Sequence, residues 1–339
     1  MQAVVVTPER RLVVEELADP VLEPGTVMLR VERCGICGSD LHLRSEERIV
    51  APGAVLGHEI VGTVLDVGAG VAGWAPGDRV ASYHAVSCGT CERCTAGRPH
   101  MCAQALQLSL GLGTTQGGYA EQIVVPPVLL HAIPEHVSFD EAALTEPLAI
   151  GLHGVNQAEV APGDTVCILG AGPIGTMLAL ALRVRGIDDV VLVDPNPFRR
   201  EAAAALGFWA VDLDEVETAV TKVLGGTPRA VLEASGHITS PGLAVQLVGP
   251  TGRVVLQGRP PAPVEFDQRL VVSKELRIVG AVNCTAPEFA EALDHIAAGQ
   301  VPVEVVSDVI SLAGADAMFD ELLSPGNTHA KVLLDPTVR

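Results

Sequence analysis

One glycine-rich turn near the middle of the chain constrains the fold more than any other feature. The turn, Gly170-Ala171-Gly172-Pro173-Ile174-Gly175, separates a short strand pattern, Thr165–Leu169, from an apolar helix pattern that begins near Ile174. Its first glycine permits a tight turn, its second lets a pyrophosphate approach the backbone, and its third permits close packing of helix on strand. The turn therefore predicts the start of a dinucleotide-binding sheet.

A carboxylate at the expected distance supports this prediction. A second strand pattern, Asp189–Val193, ends at Asp194, which lies 19 residues past Gly175. A carboxylate there can bind both ribose hydroxyls of adenosine and would repel a 2′-phosphate, so NAD is favoured as the cofactor. Arg199 and Arg200 follow closely, which makes Arg199 a candidate cofactor contact and leaves NADP open. A purely structural turn with a solvated Asp194 is the alternative.

The predicted pattern of strands and helices changes at about residue 150. Before that point, short Val-rich segments such as Val27–Val31 alternate with Pro and Gly, which is typical of a β domain. After it, strand and helix patterns alternate, which predicts a doubly wound parallel sheet. The later patterns are the strands Ala230–Leu232, Arg253–Leu256 and Leu276–Val279 and the helices Arg199–Leu206, Ile238–Val248 and Glu288–Ala298. We predict an α/β chain with a β-rich domain at 1–150 and 287–339 and a dinucleotide-binding domain at 151–286.

Four cysteines in one short segment predict a closed metal site. Cys88, Cys91, Cys94 and Cys102 follow the spacing C-x₂-C-x₂-C-x₇-C. Four thiolates can surround one tetrahedral Zn²⁺ and leave no position for a substrate, so the site is expected to be structural. Four free thiols would leave this loop with nothing to order it, and a redox pair lacks an obvious nucleophile and partner. We call this segment the four-cysteine loop.

A second, scattered set of metal-binding residue types lies earlier in the chain. It runs from Cys37 through Asp40 and His42 to the sequence Gly57-His58-Glu59. Each member has an ordinary alternative, because Cys34 and Cys37 could form a redox pair and a lone histidine is most often structural. Together these residues indicate an open zinc site that keeps one position for chemistry.

Composition excludes several classes of partner. The chain has 339 residues, is 48% hydrophobic and carries a formal net charge of −19, so it can form two domains and would be repelled by nucleic acid and anionic membranes. The amino terminus lacks a basic segment followed by a long apolar one, so we expect no secretory signal and a cytoplasmic location. A reducing compartment would keep the cysteines as ligands, whereas Cys167 and Cys284 are expected to be buried apolar residues.

The motifs together resemble the zinc-dependent medium-chain dehydrogenase/reductase family over essentially the whole chain. They are Gly35-Ile36-Cys37-Gly38-Ser39-Asp40-Leu41-His42, Gly57-His58-Glu59, the four-cysteine loop and the glycine turn. The resemblance implies a GroES-like catalytic domain, a Rossmann domain, two zinc ions per chain and NAD. It also implies an alcohol or ketone substrate and a homodimer or homotetramer.

The resemblance assigns roles in the open site. It implies that Cys37 and His58 bind the catalytic zinc, that Asp40 orients His58, and that Cys34 is not a ligand. The family's alkanol dehydrogenases take a third ligand from a downstream cysteine, but the matching stretch here is Leu144-Thr145-Glu146-Pro147-Leu148. That departure resembles the polyol (sorbitol) dehydrogenase-like branch, in which the third ligand is a glutamate.

Two glutamates compete for the third position. We favour Glu59 as the ligand, with Glu146 holding the zinc-bound water, and leave exchange between them open. The resemblance also implies a proton route from Ser39 through a cofactor ribose hydroxyl to His42.

Three further residues match the family's cofactor contacts. Ser235, Gly236 and Gly258 follow strand patterns, and the match places the two glycines near the nicotinamide. Either glycine could instead be an ordinary turn residue.

The predicted activity is hydride transfer between NAD and a secondary alcohol or polyol and its ketone. A carboxylate ligand in place of a thiolate makes zinc a harder Lewis acid, which favours a vicinal diol or hydroxy ketone. Asn283 replaces an arginine of the sorbitol-type relatives and Leu43 replaces an aromatic residue, so sorbitol itself is disfavoured. A threonine-like amino alcohol and a cyclic secondary alcohol stay open. A catalytically silent zinc- and dinucleotide-binding scaffold is the other class, and the intact open set argues against it.

Overall fold

The computed structural model describes residues 1–45, 49–112, 115–324 and 326–338. The chain forms two compact units, of which the first comprises Met1–Glu146 and Thr285–Arg339 and the second comprises Pro147–Cys284.

The strands and helices of the described residues are numbered separately along the chain. The strands are β1 (Gln2–Val6), β2 (Leu12–Glu16), β3 (Val27–Gly35), β4 (Glu59–Val67), β5 (Arg79–Ser82), β6 (Gln122–Val125), β7 (Leu130–Ala132), β8 (Val166–Leu169), β9 (Val190–Val193), β10 (Trp209–Val211), β11 (Ala230–Glu233), β12 (Arg253–Leu256), β13 (Arg277–Gly280), β14 (Val306–Ser311) and β15 (Lys331–Asp335). The helices are α1 (Gly38–Ser45), α2 (Glu92–Thr95), α3 (Ala105–Leu108), α4 (Phe139–Ala142), α5 (Thr145–Ala158), α6 (Pro173–Val184), α7 (Pro197–Ala205), α8 (Val216–Leu224), α9 (Ser240–Leu247), α10 (Gln268–Ser273), α11 (Ala286–Ala297) and α12 (Ala315–Leu323).

The first unit is built around the long strand β3. Its sheet has the order β14-β15-β3-β4-β5-β7, and β6 also pairs with β3. Alternate residues of β3, namely Val27, Leu29 and Val31, are fully buried, which is the period-2 pattern of a strand with one face on a core. The carboxyl-terminal strand β15 pairs antiparallel with β3, so the end of the chain completes the sheet begun by its first part.

The second unit is a parallel sheet of six strands in the order β10-β9-β8-β11-β12-β13. Counted from β8, this is the order 3-2-1-4-5-6 of dinucleotide-binding folds, so the predicted doubly wound sheet is confirmed. All four residues of β8, β9 and β11 are buried, as expected for strands covered on both faces. Cys167 on β8 is fully buried, as predicted, and so is Cys284.

Local sequence explains how several helices begin and end. Pro173 opens α6 directly after Gly172, and Gly225 ends α8 in the left-handed conformation. The Lys274 ammonium donates to the carbonyls of Gln246 and Val248 at 2.7 and 2.8 Å. These carbonyls at the carboxyl end of α9 thereby gain hydrogen-bond donors. Among the described residues, no helix combines the length and the apolar character needed to cross a bilayer.

Candidate functional site

The register of two strands brings the open set together. β3 and β4 pair antiparallel with Gly35 opposite Glu59, so the residues that follow β3 lie beside those that precede β4. The ligand atoms of Cys37, His58 and Glu59 lie within 4.8 Å of one another. Residues that are some twenty positions apart in the sequence thus form one compact donor set.

This donor set fits a zinc ion. A thiol, an imidazole and a carboxylate are the three ligand types that Zn²⁺ uses in proteins, and three protein ligands leave a fourth position open. Four buried polar atoms in and around the set make no hydrogen bond to the described residues, namely Ser39 Oγ, Asp40 Oδ1, His58 Nδ1 and Glu59 Oε2. Three of them are in ion pairs instead, Asp40 Oδ1 with His58 Nδ1 and Glu59 Oε2 with Lys331 Nζ. Buried polar atoms normally make hydrogen bonds, so this concentration agrees with a site built around a further ligand.

Asp40 is fully buried and holds the backbone of one ligand and the ring of another. Its Oδ2 accepts the Cys37 N–H at 3.0 Å and the Tyr119 hydroxyl at 2.7 Å. Its Oδ1 lies 3.3 Å from His58 Nδ1. Burial lowers the pKa of His58, but the charge and hydrogen bonding of Asp40, together with those of Cys37, outweigh burial and raise that pKa well above its ordinary value. The same attraction would orient the ring and make it a stronger metal ligand.

Glu59 also contacts a lysine that sequence reasoning missed. Lys331 Nζ donates to Glu59 Oε1 at 2.5 Å and to the Ile36 carbonyl at 2.9 Å, and both charged residues are only 1% exposed. Burial lowers the pKa of Lys331, but the charge and hydrogen bond of Glu59, together with the charges of Cys37 and Glu146, outweigh burial and leave that pKa raised. Glycine at position 35 leaves space for the Glu59 carboxylate, because a Cβ on Gly35 would lie 1.8 Å from Glu59 Oε2. No sequence signal links residues 272 positions apart.

Glu146 lies outside this donor set. It stands on α5, is 4% exposed, and places Oε1 3.3 Å from His84 Nδ1. Burial is the main cause that raises the pKa of Glu146, to about 7, and the charge of Glu59 adds to it.

His84 is a second residue near the site that the sequence did not predict. Its ring lies 5.1 Å from the ring of His58, centre to centre. Burial lowers the pKa of His84 well below its ordinary value, so it is a neutral neighbour.

The other predicted residues of this region lie on β3 and α1. Ser39 is the second residue of α1 and half-buried, whereas His42, on the same helix, is exposed. Cys34 is fully buried on β3, and burial raises the pKa of its thiol well above the ordinary value. A neutral buried thiol agrees with its exclusion from the ligand set.

The four-cysteine loop forms the second candidate metal site. All four Sγ atoms lie within 4.8 Å of one another. Two of the sulfur pairs are 3.4 Å apart (Cys91 and Cys94) and 4.0 Å apart (Cys88 and Cys94). These values bracket the roughly 3.8 Å edge that a tetrahedron with Zn–S bonds of about 2.3 Å requires.

Backbone groups already prepare these sulfurs for a metal. The N–H groups of Cys88 and Gln104 point at Cys102 Sγ, at 3.3 and 3.4 Å. Hydrogen bonds from the backbone of Thr90 and Cys91 lower the pKa of Cys88 to about 6. Burial raises the pKa of Cys94 to about 12, so metal binding there would release a proton.

The glycine turn of the second unit has the geometry of a pyrophosphate-binding turn. Gly170 has φ +101°, and a Cβ on Gly175 would lie 1.8 Å from the Gly170 carbonyl oxygen, so both positions require glycine. Gly172 precedes Pro173 at the start of α6, which leaves the amino end of that helix for an anion.

Asp194 is held beside this turn. Its two carboxylate oxygens accept N–H groups of Ala171 and Asn196, both at 2.8 Å. Arg199 Nη1 lies 3.6 Å from Asp194 Oδ2, whereas Arg200 donates to the Asp194 carbonyl and pairs with Asp212. Of the two arginines, Arg199 is therefore the one beside the carboxylate.

The remaining predicted cofactor residues meet at neighbouring strand ends. A Cβ on Gly258 would lie 2.4 Å from the Gly236 N atom, so the turns after β11 and β12 touch. Glu233, which sequence reasoning did not single out, is 1% exposed and orders one of these turns. Its Oε1 accepts the N–H groups of Ser235 and Gly236 at 2.8 and 3.0 Å.

Comparison with known proteins gives a consistent result. Residues 23–135 match the family model of the alcohol dehydrogenase GroES-like domain, and residues 173–298 match that of zinc-binding dehydrogenases. The chain is 29% identical to sorbitol dehydrogenase of Bacillus subtilis (strain 168), over 99% of this chain and 97% of that protein. It is 30% identical to a probable D-xylulose reductase A of Arthroderma otae, over 91% and 90%.

Solved structures agree over nearly the full length. A zinc-binding dehydrogenase from Sinorhizobium meliloti 1021 bound to NADP has a TM-score of 0.91 at 30% identity. An alcohol dehydrogenase from Escherichia coli CFT073 complexed with NADH has a TM-score of 0.90 at 29% identity. 2R,3R-butanediol dehydrogenase from Bacillus subtilis has a TM-score of 0.91 at 27% identity. Each alignment covers 99% of both chains.

Proposed function

The chain belongs to the zinc-dependent medium-chain dehydrogenase/reductase family, and from this membership we propose that it interconverts a vicinal diol or polyol and the corresponding hydroxy ketone with NAD. The observation that carries the proposal is the donor set of Cys37 and the buried His58 and Glu59, which contains a carboxylate in place of a second thiolate. A harder metal site of this kind favours substrates that offer two oxygens.

Each group has a defined part in this proposal. Cys37, His58 and Glu59 would hold the catalytic zinc, with Glu146 close by as the alternative third ligand. Bound zinc supplies Lewis-acid polarisation of an alcohol oxygen, and bound NAD supplies the hydride acceptor. The cysteines of the four-cysteine loop would hold the structural zinc.

The protein's own side chains handle the proton that alcohol oxidation releases. Ser39 Oγ is buried and lacks a hydrogen-bond partner among the described residues, so it can accept that proton from the substrate hydroxyl. The exposed His42, on the same helix, would pass it to water. Reduction of the ketone reverses the direction of the proton along the same groups.

NAD is the proposed cofactor, with NADP as the competitor. Asp194 supports NAD because a carboxylate repels a 2′-phosphate. Arg199, whose guanidinium lies beside the Asp194 carboxylate, is a cation that could offset this repulsion. Relatives of known structure bind NADP in one case and NADH in the other, so the family alone does not choose.

Names of relatives support the substrate class. Sorbitol, D-xylulose and 2R,3R-butanediol appear in them, and each carries neighbouring oxygens. The test is a comparison of kcat/KM for 2,3-butanediol and 2-butanol, which share a carbon skeleton, alongside xylitol, sorbitol and threonine. We expect the diol to exceed 2-butanol by at least about tenfold, the value of one good hydrogen bond to a charged group.

Two results would contradict the proposal in different ways. Turnover of 2-butanol or threonine without diol turnover would refute the substrate class alone. A protein that holds two zinc ions but forms no NADH from any alcohol would refute the dehydrogenase function.

Location and assembly complete the proposal. We propose a cytoplasmic homodimer or homotetramer. The eight free thiols support a reducing compartment. Strand β13 is at the edge of its sheet, and an edge strand with unpaired backbone groups supports self-association. Light scattering that gives a monomer at micromolar concentration would refute the assembly.

A further inference from the structure

Tyr119 lies behind the candidate metal site and contacts none of the predicted ligands through its hydroxyl. It is fully buried, and its OH donates to Asp40 Oδ2 at 2.7 Å. The other oxygen of the same carboxylate lies 3.3 Å from His58 Nδ1. The hydroxyl, the carboxylate and the imidazole therefore form one chain that ends at a metal ligand.

The ring of Tyr119 constrains the same ligand through the backbone. A Cβ on Gly57, the residue before His58, would lie 2.4 Å from the Tyr119 ring, so the ring covers Gly57 closely. Gly57 also has φ +96°, a conformation that other residues adopt only with strain. The backbone between Gly57 and His58 is thus fixed from the side on which Tyr119 packs.

Tyr119 is itself held firmly. Its N–H donates to the Leu56 carbonyl at 3.0 Å, and its carbonyl accepts the Val4 N–H at 2.8 Å. Its ring packs edge-on against Phe319, with centroids 6.1 Å apart. Burial raises the pKa of Tyr119 well above its ordinary value, so the hydroxyl stays a hydrogen donor.

We propose that Tyr119 is a positioning residue for the catalytic metal, which fixes the rotamer of Asp40 and through it the orientation of His58. A buried hydroxyl needs some hydrogen-bond partner, and the partner of Tyr119 is the carboxylate that lies beside His58. Here the hydroxyl and the Cys37 N–H share one oxygen of Asp40, which leaves the other oxygen for His58. The inference rests on the proposed function only in taking the metal to be zinc.

The test is Tyr119→Phe, which removes one atom and keeps the ring on Gly57. We expect zinc at the open site to bind about tenfold more weakly, as is found when a partner behind a metal ligand is lost. Competition with a chelator measures this affinity, and zinc in the four-cysteine loop serves as the internal reference. A Co²⁺-substituted sample should show a shifted ligand-field spectrum for the open site.

A control removes a similar bond elsewhere in the same sheet. Thr63 on β4 donates its hydroxyl to Glu32 Oε1 at 2.7 Å. Thr63→Val should leave both zinc affinities unchanged, although it also deletes a hydroxyl-to-carboxylate bond.

A double-mutant cycle locates the route. In an Asp40→Ala background, Tyr119→Phe should cause little further loss, because the acceptor of the Tyr119 hydroxyl is already gone. Unchanged zinc affinity and an unchanged Co²⁺ spectrum in Tyr119→Phe would overturn the proposal, as would an equal loss in both backgrounds. Zinc affinity and the Co²⁺ spectrum are measured without turnover. A chain that binds two zinc ions but oxidises no diol would therefore refute the proposed function without refuting this inference. A wild-type chain that binds one zinc ion only would overturn both.

Discussion

The two candidate metal sites of the first unit are built in opposite ways. The four-cysteine loop takes all its ligands from one short segment, and three of its four cysteines are only partly buried. The open site takes Cys37, His58 and Glu59 from the ends of two paired strands and supports them with Asp40, Tyr119 and Lys331. A closed site needs ligands and a loop, whereas a site that keeps one position free depends on the buried groups that hold its ligands.

This difference predicts opposite consequences of losing one sulfur. Cys37→Ser should remove one of two zinc ions and lower kcat by at least about a thousandfold, because Lewis-acid stabilisation worth several kcal/mol disappears. Cys94→Ser should remove the other zinc ion and lower thermal stability while the folded fraction keeps its open-site zinc. The zinc content, turnover and melting temperature of both variants test this. Loss of both zinc ions from Cys37→Ser would contradict the claim that the two sites hold their ions independently.

The buried lysine gives the next largest effect. Lys331→Met leaves the Glu59 carboxylate buried without its partner, which should cost about 3–5 kcal/mol of unfolding free energy. The exposed Lys222→Met is the matched control and should change stability by less than about 0.5 kcal/mol. Chemical denaturation measures both, and a loss under about 1 kcal/mol for Lys331→Met would show that the pair does not support the site.

How far the sequence predicts each site follows from the same contrast. The sequence groups the four cysteines of the loop because their spacing is local, and the structure brings their sulfurs together. The glycine turn predicted the parallel sheet because strand, turn and helix are contiguous. Lys331, Tyr119 and His84 were missed because they reach the open site through sheet register and buried side-chain contacts. Glu59 and Glu146 could not be separated by motif, whereas the structure groups only Glu59 with Cys37 and His58.

The cofactor unit offers a reference that lacks both metal sites. Asp194→Gly should weaken NAD binding by about tenfold or more, because hydrogen bonds from ribose hydroxyls to a charged group are lost, and should weaken NADP far less. Since Asp194 also accepts N–H groups of the turn, the ratio of the two dissociation constants within one variant is the quantity to measure. Equal losses for NAD and NADP would refute the ribose role, and zinc content should stay at two.

The smallest effect is expected at the exposed end of the proton route. His42→Ala should slow alcohol oxidation about threefold to tenfold, below the range for a general base that touches substrate, and mainly at lower pH. Zinc content should not change, because the exposed His42 lies outside the ligand set. A pH–rate profile with metal analysis tests this, and loss of one zinc ion would instead make His42 a ligand.

The ligand sphere of the zinc ion nearest Cys37 tests the central claim most directly. A crystal structure of the protein with zinc and NAD bound should show that ion about 2.3 Å from Cys37 Sγ, with His58 nitrogen at about 2.0–2.1 Å and Glu59 oxygen at about 2.0–2.2 Å. One sulfur, one nitrogen and one carboxylate oxygen from the protein is the predicted set. A second sulfur from Cys34, or Glu146 on the metal with Glu59 bound only to Lys331, would contradict it.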